Sequence, residues 1–322
     1  MYSQTSFRKG WLFLTCCMLL LFSFAAAACS DQNTNGSDAR TQTEEAGTLR
    51  DNTPEVLTPQ ASGTVQYTSD LCSLDASNTS EGYVMAQYKG SNEKVKFQIT
   101  TPDQKEYTYL ITNYGAYEVY PLSGGNGTYT LTLLESVSKE EDLYAISFTQ
   151  DIEVTVTDEF KPYLYPNKYV NFSAGSEAVN LGETLAKDCY TDLEVVTNIY
   201  NYVIKNIDYD KKKAKNVAYG YTPDISDTLS SGKGICFDYA AVMSGMLRTQ
   251  KIPTKLEVGY AGDVYHAWIS CYVDEIGWVD NIIEFDGENW SLMDPTLGAN
   301  NKEADVKKYI GDGSRYVVKY TY

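Results

Sequence analysis

The sequence holds one histidine, His266, among its 322 residues. Any chemistry that needs an imidazole must use it, and a histidine cluster for metal is ruled out. No Cys-x-x-Cys pair occurs either, which argues against a structural zinc site. Basic residues are scarce: 26 Lys and Arg stand against 43 Asp and Glu, a net charge of −17. That deficit argues against sequence-independent binding to nucleic acid or to an anionic membrane surface. Beyond residue 28 no apolar run is long enough to span a bilayer. No calcium-loop pattern is present, and neither a cofactor nor a metal is expected.

The N-terminus carries the compartment signal. Arg8 and Lys9 precede an apolar run from Trp11 to Ala28, which ends in Ala26-Ala27-Ala28-Cys29. Residues 1–28 read as a signal peptide. The small residues before Cys29 resemble a bacterial lipobox, which implies a lipid on Cys29 and a protein held at the bacterial cell surface. Ordinary cleavage near Ala28 is the alternative. Residues 29–62 are rich in Asn, Thr, Ser, Asp, Gln and Glu. They cannot bury enough apolar surface to fold, and they read as a flexible tether.

Residues 63–158 alternate with period two. Val95, Phe97 and Ile99 interleave with Lys94, Lys96 and Gln98, and Tyr129, Leu131 and Leu133 with Thr128, Thr130 and Thr132. Ile152, Val154 and Val156 alternate again. Such patterning places one face on a core and the other in water. Gly124-Gly125-Asn126-Gly127 marks a turn. The expectation is an antiparallel β-sandwich, immunoglobulin-like in plan, acting as spacer or binding module. The 28 tyrosines suit half-buried strand positions; a tyrosine-lined surface for glycan or peptide is the sharper reading.

Residues 159–322 read as an α+β domain. Thr191-Asp192-Leu193-Glu194 has the form of a capping box. Leu193, Val196, Tyr200, Val203 and Ile207 then mark the buried face of a helix over 192–207. A second helix is expected over 237–249. Strands are expected around 255–260, 267–273, 281–285 and 315–322.

Three segments could carry chemistry. Cys236 follows Gly232-Lys233-Gly234-Ile235 and starts the second helix, where free N–H groups and the positive dipole end favour a thiolate and could hold an oxyanion. Alternation along Tyr265–Val273 puts His266, Trp268, Ser270 and Tyr272 on one face and Ala267, Ile269, Cys271 and Val273 on the other. Cys271 then reads as structural and Cys236 as the nucleophile, with His266 able to take its proton. Asp294, in Trp290-Ser291-Leu292-Met293-Asp294-Pro295-Thr296, is the first choice for orienting the imidazole; Asp280 competes. Of the remaining cysteines, Cys72 and Cys189 are a possible disulfide.

GICFDYA, HAW and W-x-x-M-DPT, in that order, resemble the core of the transglutaminase-like superfamily. The resemblance spans about residues 192–296. It implies a helix-borne cysteine packed on a sheet that carries histidine and aspartate, with Cys236 as nucleophile, His266 as base and Asp294 as orienting acid. It implies a thioester formed from a peptide or side-chain amide, resolved by water (a peptidase or amidase, the favoured reading) or by an amine (a cross-linker). Protein or peptide, including cell-wall peptide, is the implied substrate. No tryptophan lies between the signal run and Cys236, where animal transglutaminases place an oxyanion-stabilising one; Tyr219 and Tyr221 are the candidates to substitute. A non-catalytic surface protein that binds glycan or protein through the β-sandwich is the competing function.

Overall fold

In the computed structural model, residues 48–138, 141–274, 276–285, 290–292 and 316–322 are described. The expected signal segment, Cys29 and Asp294 lie outside them. Eight strands come first: β1 (Gln66–Thr68), β2 (Cys72–Asp75), β3 (Tyr83–Tyr88), β4 (Val95–Thr100), β5 (Glu106–Leu110), β6 (Tyr117–Pro121), β7 (Gly127–Ser136) and β8 (Tyr144–Val154). They form two antiparallel four-stranded sheets, ordered β1-β2-β3-β6 and β5-β4-β7-β8.

The period-two pattern explains the packing. Val95, Phe97, Ile99, Tyr129, Leu131 and Leu133 are all buried. Phe97 of β4 and Tyr109 of β5 meet Tyr120 of β6 at ring-centroid distances of 4.6 and 4.9 Å, so the two sheets share one core. Tyr88, Tyr109, Tyr120 and Tyr129 are fully buried within it. These tyrosines are core residues and not a displayed binding face. The turn between β6 and β7 needs its glycines: Gly125 and Gly127 have φ of +76° and +135°, and a Cβ on Gly124 would fall 2.7 Å from the Thr101 side chain. Lys96 departs from the expected wet position. Its side chain is covered because the ammonium sits 3.8 Å from the Tyr144 ring centre and 3.2 Å from Asp142.

The rest of the chain adds α1 (Glu177–Ala186), α2 (Asp192–Asn206), β9 (Asp208–Tyr209), α3 (Lys211–Asn216), α4 (Ile225–Ser231), β10 (Lys233–Gly234) and α5 (Cys236–Thr249). It then forms β11 (Thr254–Ala261), β12 (Val264–Val273), β13 (Gly277–Phe285), β14 (Trp290–Leu292) and β15 (Tyr316–Thr321). These last five strands make an antiparallel sheet, β14-β13-β12-β11-β15. The result is a mixed α and β architecture. Helix α2 starts where the capping residues place it: Thr191 Oγ1 accepts the Glu194 N–H at 3.1 Å. Glu194 reaches back one residue further than a capping box requires, to the Tyr190 N–H at 2.6 Å.

Helix α5 is the centre of this half. Every residue from Asp238 to Thr249 is buried, and the helix packs against β11 and β12. Arg248, 1% exposed, is held by main-chain oxygens. Its guanidinium donates to the carbonyls of Thr254 (3.0 and 2.8 Å), Tyr165 (2.7 Å) and Tyr322 (2.9 Å), tying the connector, the helix and the C-terminal strand together.

The described residues belong to one compact unit. Tyr322 packs edge-on against Tyr107 and Tyr109 of β5, at 5.7 and 5.8 Å, and Ser123 Oγ donates to the Thr321 carbonyl at 2.7 Å. Part of the expected tether is docked as well. Arg50 Nε meets Asp192 at 2.5 Å and its guanidinium also donates to the Gln250 carbonyl, while the Glu55 N–H donates to the Thr249 carbonyl at 2.8 Å. Polar composition does not prevent docking when the partners are backbone carbonyls at the end of a buried helix. Cys72 and Cys189 are separate free thiols. Cys72 lies beside Ser69, and Cys189 accepts from Asn198 Nδ2 at 3.3 Å, so each has local partners and no disulfide forms. Among the described residues no helix is long and apolar enough to cross a membrane.

Candidate active site

Cys236 is the first residue of α5. The helix starts there because Ile235 is extended (φ −103°, ψ 178°) and its N–H is taken by the Asp238 carboxylate at 2.8 Å. The turn before it is set by Gly232, whose φ of +62° ends α4. β9 and β10 pair in parallel, Tyr209 opposite Gly234, which brings Tyr209 to the start of the helix.

The Cys236 thiol lies against the N–H groups of Ala267 and Phe237 and the Tyr209 hydroxyl. Burial raises its pKa, and these three hydrogen bonds pull it down without cancelling the rise. The Tyr209 hydroxyl also takes the backbone N–H of Cys236, and burial, followed by the neighbouring sulfur, pushes its pKa up to about 12. The sequence favours a helix-stabilised thiolate; the packing around the partly buried sulfur works against it.

His266, on β12, is 5% exposed and its ring stacks near Trp268 at 6.5 Å. Burial lowers its pKa to about 4, so at neutral pH it is an uncharged imidazole able to accept a proton. Both sides of β12 are covered: Ala267, Ile269, Cys271 and Val273 are buried as expected, and so are Trp268 and Ser270. Glu257, directly across on β11, satisfies the latter two, accepting Trp268 Nε1 at 2.9 Å and Ser270 Oγ at 2.6 Å.

Cys236 and His266 line one cavity of about 690 Å³. The structure thus brings together two of the three residues picked from the sequence. Asp294 lies outside the described residues. Asp280 is exposed on β13, level with Ser270 between the pairs Ile269–Ile283 and Cys271–Val279. It sits four positions along β12 from His266, roughly 13 Å at about 3.3 Å per residue, with Glu257 as its charged neighbour.

The tyrosines proposed to assist Cys236 go elsewhere. Tyr221 lines the cavity, but its hydroxyl donates to Asp238. Tyr219 is 71% exposed at the rim, 5.2 Å from Lys96. The tyrosine against the Cys236 thiol is Tyr209. No local motif announces it, because its position depends on a two-residue strand pairing across the intervening helices α3 and α4.

Cys236 thus stands at a helix N-terminus that packs on the sheet carrying His266. Residues 180–281 match the family model of the transglutaminase-like superfamily, and this stretch is a transglutaminase-like domain. Cys236 and His266 fall inside it. No curated protein matches the chain significantly. Among solved structures, the chain is similar to a candidate cysteine protease from Cytophaga hutchinsonii, at 15% identity and a TM-score of 0.34, over 73% of each chain. It is similar to a candidate protease from Parabacteroides distasonis at 17% identity and a TM-score of 0.28, over 66% of this chain and 37% of that one. Red sea bream transglutaminase gives 14% identity and a TM-score of 0.26, over 68% of this chain and 48% of that one. The chain therefore spans less than half the length of the last two.

Proposed function

We propose that this protein is a thiol acyl-transfer enzyme, held at a bacterial cell surface by lipid on Cys29, that acts on amide bonds of peptides or protein side chains. Cys236 is the nucleophile, His266 its base and Asp294 the carboxylate that orients the imidazole. The observation that carries the reading is the shared cavity: a cysteine at a helix N-terminus and the only histidine of the chain line the same space. A buried, uncharged His266 at neutral pH supports the role of base.

Sγ of Cys236 attacks the amide carbonyl as its proton passes to His266. The carbonyl oxygen gains charge beside the Tyr209 hydroxyl, which is polarised by the Cys236 N–H and can turn its proton from the sulfur toward that oxygen. His266 then returns the proton to the leaving nitrogen, which departs as ammonia or an amine and leaves a thioester on Cys236. Water, deprotonated by His266, cleaves the thioester to a carboxylic acid and restores the thiol. A primary amine in place of water would give a new amide. Hydrolysis is the preferred course, in line with the bacterial members that the three motifs resemble. Strand register, which sets Asp280 apart from His266, supports the choice of Asp294 over Asp280.

The test is incubation of the full chain with a mixed peptide pool, with and without a fluorescent primary amine, followed by mass spectrometry. Cleavage or deamidation that disappears in Cys236→Ala supports hydrolysis. Amine incorporation that disappears in the same variant moves the assignment to cross-linking. Neither product from folded protein would sink the enzyme reading.

A further inference from the structure

The cavity beside Cys236 carries no Asp, Glu, Lys or Arg among its described lining residues. Seven tyrosines line it, in a chain with a net charge of −17. Charges near its rim are directed at other partners: Lys213 is bound to Asp238 at 2.7 Å and Lys96 to Asp142 at 3.2 Å. A charged group entering would lose hydration with nothing opposite to replace it, whereas an uncharged ring or apolar chain would meet aromatic faces and hydroxyls. The volume falls within the range of roughly 300–1,000 Å³ typical of small-ligand sites.

One wall of this cavity comes from the first eight strands. Along β5, Tyr107 and Tyr109 point into the core, and Thr108 and Leu110, between and after them, face the cavity. Thr108 is held by Gln98 Nε2 at 3.2 Å. Leu110 meets the segment that roofs the space: Gly220 has a φ of +75°, and a Cβ there would lie 2.1 Å from Leu110 Cδ1. Roof and wall are therefore interlocked. The β-strand region is part of the site and cannot be a detached spacer.

We infer that this cavity seats an uncharged aromatic or large apolar side chain of the acyl donor, next to the scissile amide, and that Thr108 and Leu110 determine that specificity. The inference rests on the acyl-transfer reading of Cys236, deepens it, and can fail separately from it.

The test uses three alkylating probes on the full chain: N-benzyl iodoacetamide, iodoacetate and a trimethylammonium-bearing iodoacetamide. Each rate at Cys236 is followed by mass spectrometry and divided by the rate with free N-acetylcysteine. The neutral aromatic probe is expected to lead both charged probes by about tenfold or more, the size of a discrimination worth ~1.4 kcal/mol. Thr108→Lys should raise the relative rate of iodoacetate, and Thr108→Glu that of the cationic probe. Thr128→Lys, which adds the same charge on an exposed strand position away from the cavity, should change neither. If Cys236 reacts in a His266-dependent way but shows no preference among the probes, or the Thr108 variants leave the preference unchanged, the specificity proposal is overturned while the acyl-transfer reading stands. If no probe reaches Cys236, both fall.

Discussion

Lys213 Nζ lies 2.7 Å from the carboxylate of Asp238, which is completely buried two residues beyond Cys236. The same carboxylate accepts the Tyr221 hydroxyl and the Ile235 N–H. One buried group thus sets the start of α5 and fastens the segment that roofs the cavity. Asp238→Ala is expected to cost about 3 kcal/mol, the size of a broken buried ion pair, because Lys213 keeps partial access to water but the Ile235 N–H does not. Urea unfolding measures it. Hydrogen exchange over residues 211–221 should accelerate in the same variant; unchanged exchange there would show that Asp238 does not hold the roof.

Histidine burial predicts a pH dependence. The folded pKa of about 4 lies below the ordinary value of 6.5. The unfolded chain therefore binds the proton first as pH falls, and stability drops between about 6.5 and 4 by roughly 3 kcal/mol from this residue, at 1.36 kcal/mol per pKa unit. Above 6.5 that contribution is constant. Comparing wild type with His266→Gln in urea at pH 7 and 4.5 isolates it from the carboxylates. The acid limb of kcat/KM should likewise fall nearer pH 4 than 6.5; a limb at or above 6.5 would contradict the buried neutral base.

Tyr209→Phe removes the hydroxyl that touches both the thiol and the N–H of Cys236. Loss of one oxyanion donor typically costs about 10²-fold in kcat, and the same fall is expected here with KM nearly unchanged. An unaltered kcat would return Tyr209 to a packing role.

Arg248→Met keeps volume but takes the guanidinium away from the main-chain oxygens of Tyr165 and Thr254 and from that of Tyr322, which keeps the Leu256 N–H at 3.0 Å. A loss of about 3 kcal/mol or more is expected, since each orphaned buried group costs about 1–3 kcal/mol. Arg248→Lys should recover only part, because one ammonium cannot span three carbonyls. Equal stability of all three proteins would refute the anchoring role.

The parts legible in the sequence are those governed by local pattern. The alternation of Val95, Phe97 and Ile99 placed a buried face correctly, the hydroxyl of Thr191 marked the start of α2, and two glycines before Cys236 marked the start of α5. What was not legible depends on distant partners. Lys96 alternates as a surface residue, yet Tyr144 and Asp142, almost fifty residues later, cover it. Thr108 and Leu110 carry no motif; they become a cavity wall only because the roof segment packs on them. Arg50 reads as part of a polar tether until α2 and α5 provide Asp192 and a free carbonyl at Gln250. The thiolate expected at Cys236 follows from the helix end alone, whereas the packing around the sulfur, which opposes it, comes from distant partners.

The central claim is that Cys236 forms an acyl-enzyme with the help of His266. The most direct measurement is intact-protein and peptide mass spectrometry after rapid quench with an aromatic N-acyl amino acid p-nitrophenyl ester, run alongside Cys236→Ala and His266→Ala. The account predicts a burst of nitrophenol matched by one acyl group on the Cys236 peptide, absent without the thiol and slowed by about 10²-fold or more without the imidazole. Folded protein that shows no adduct, or one on another residue, or equal acylation in His266→Ala, would contradict it.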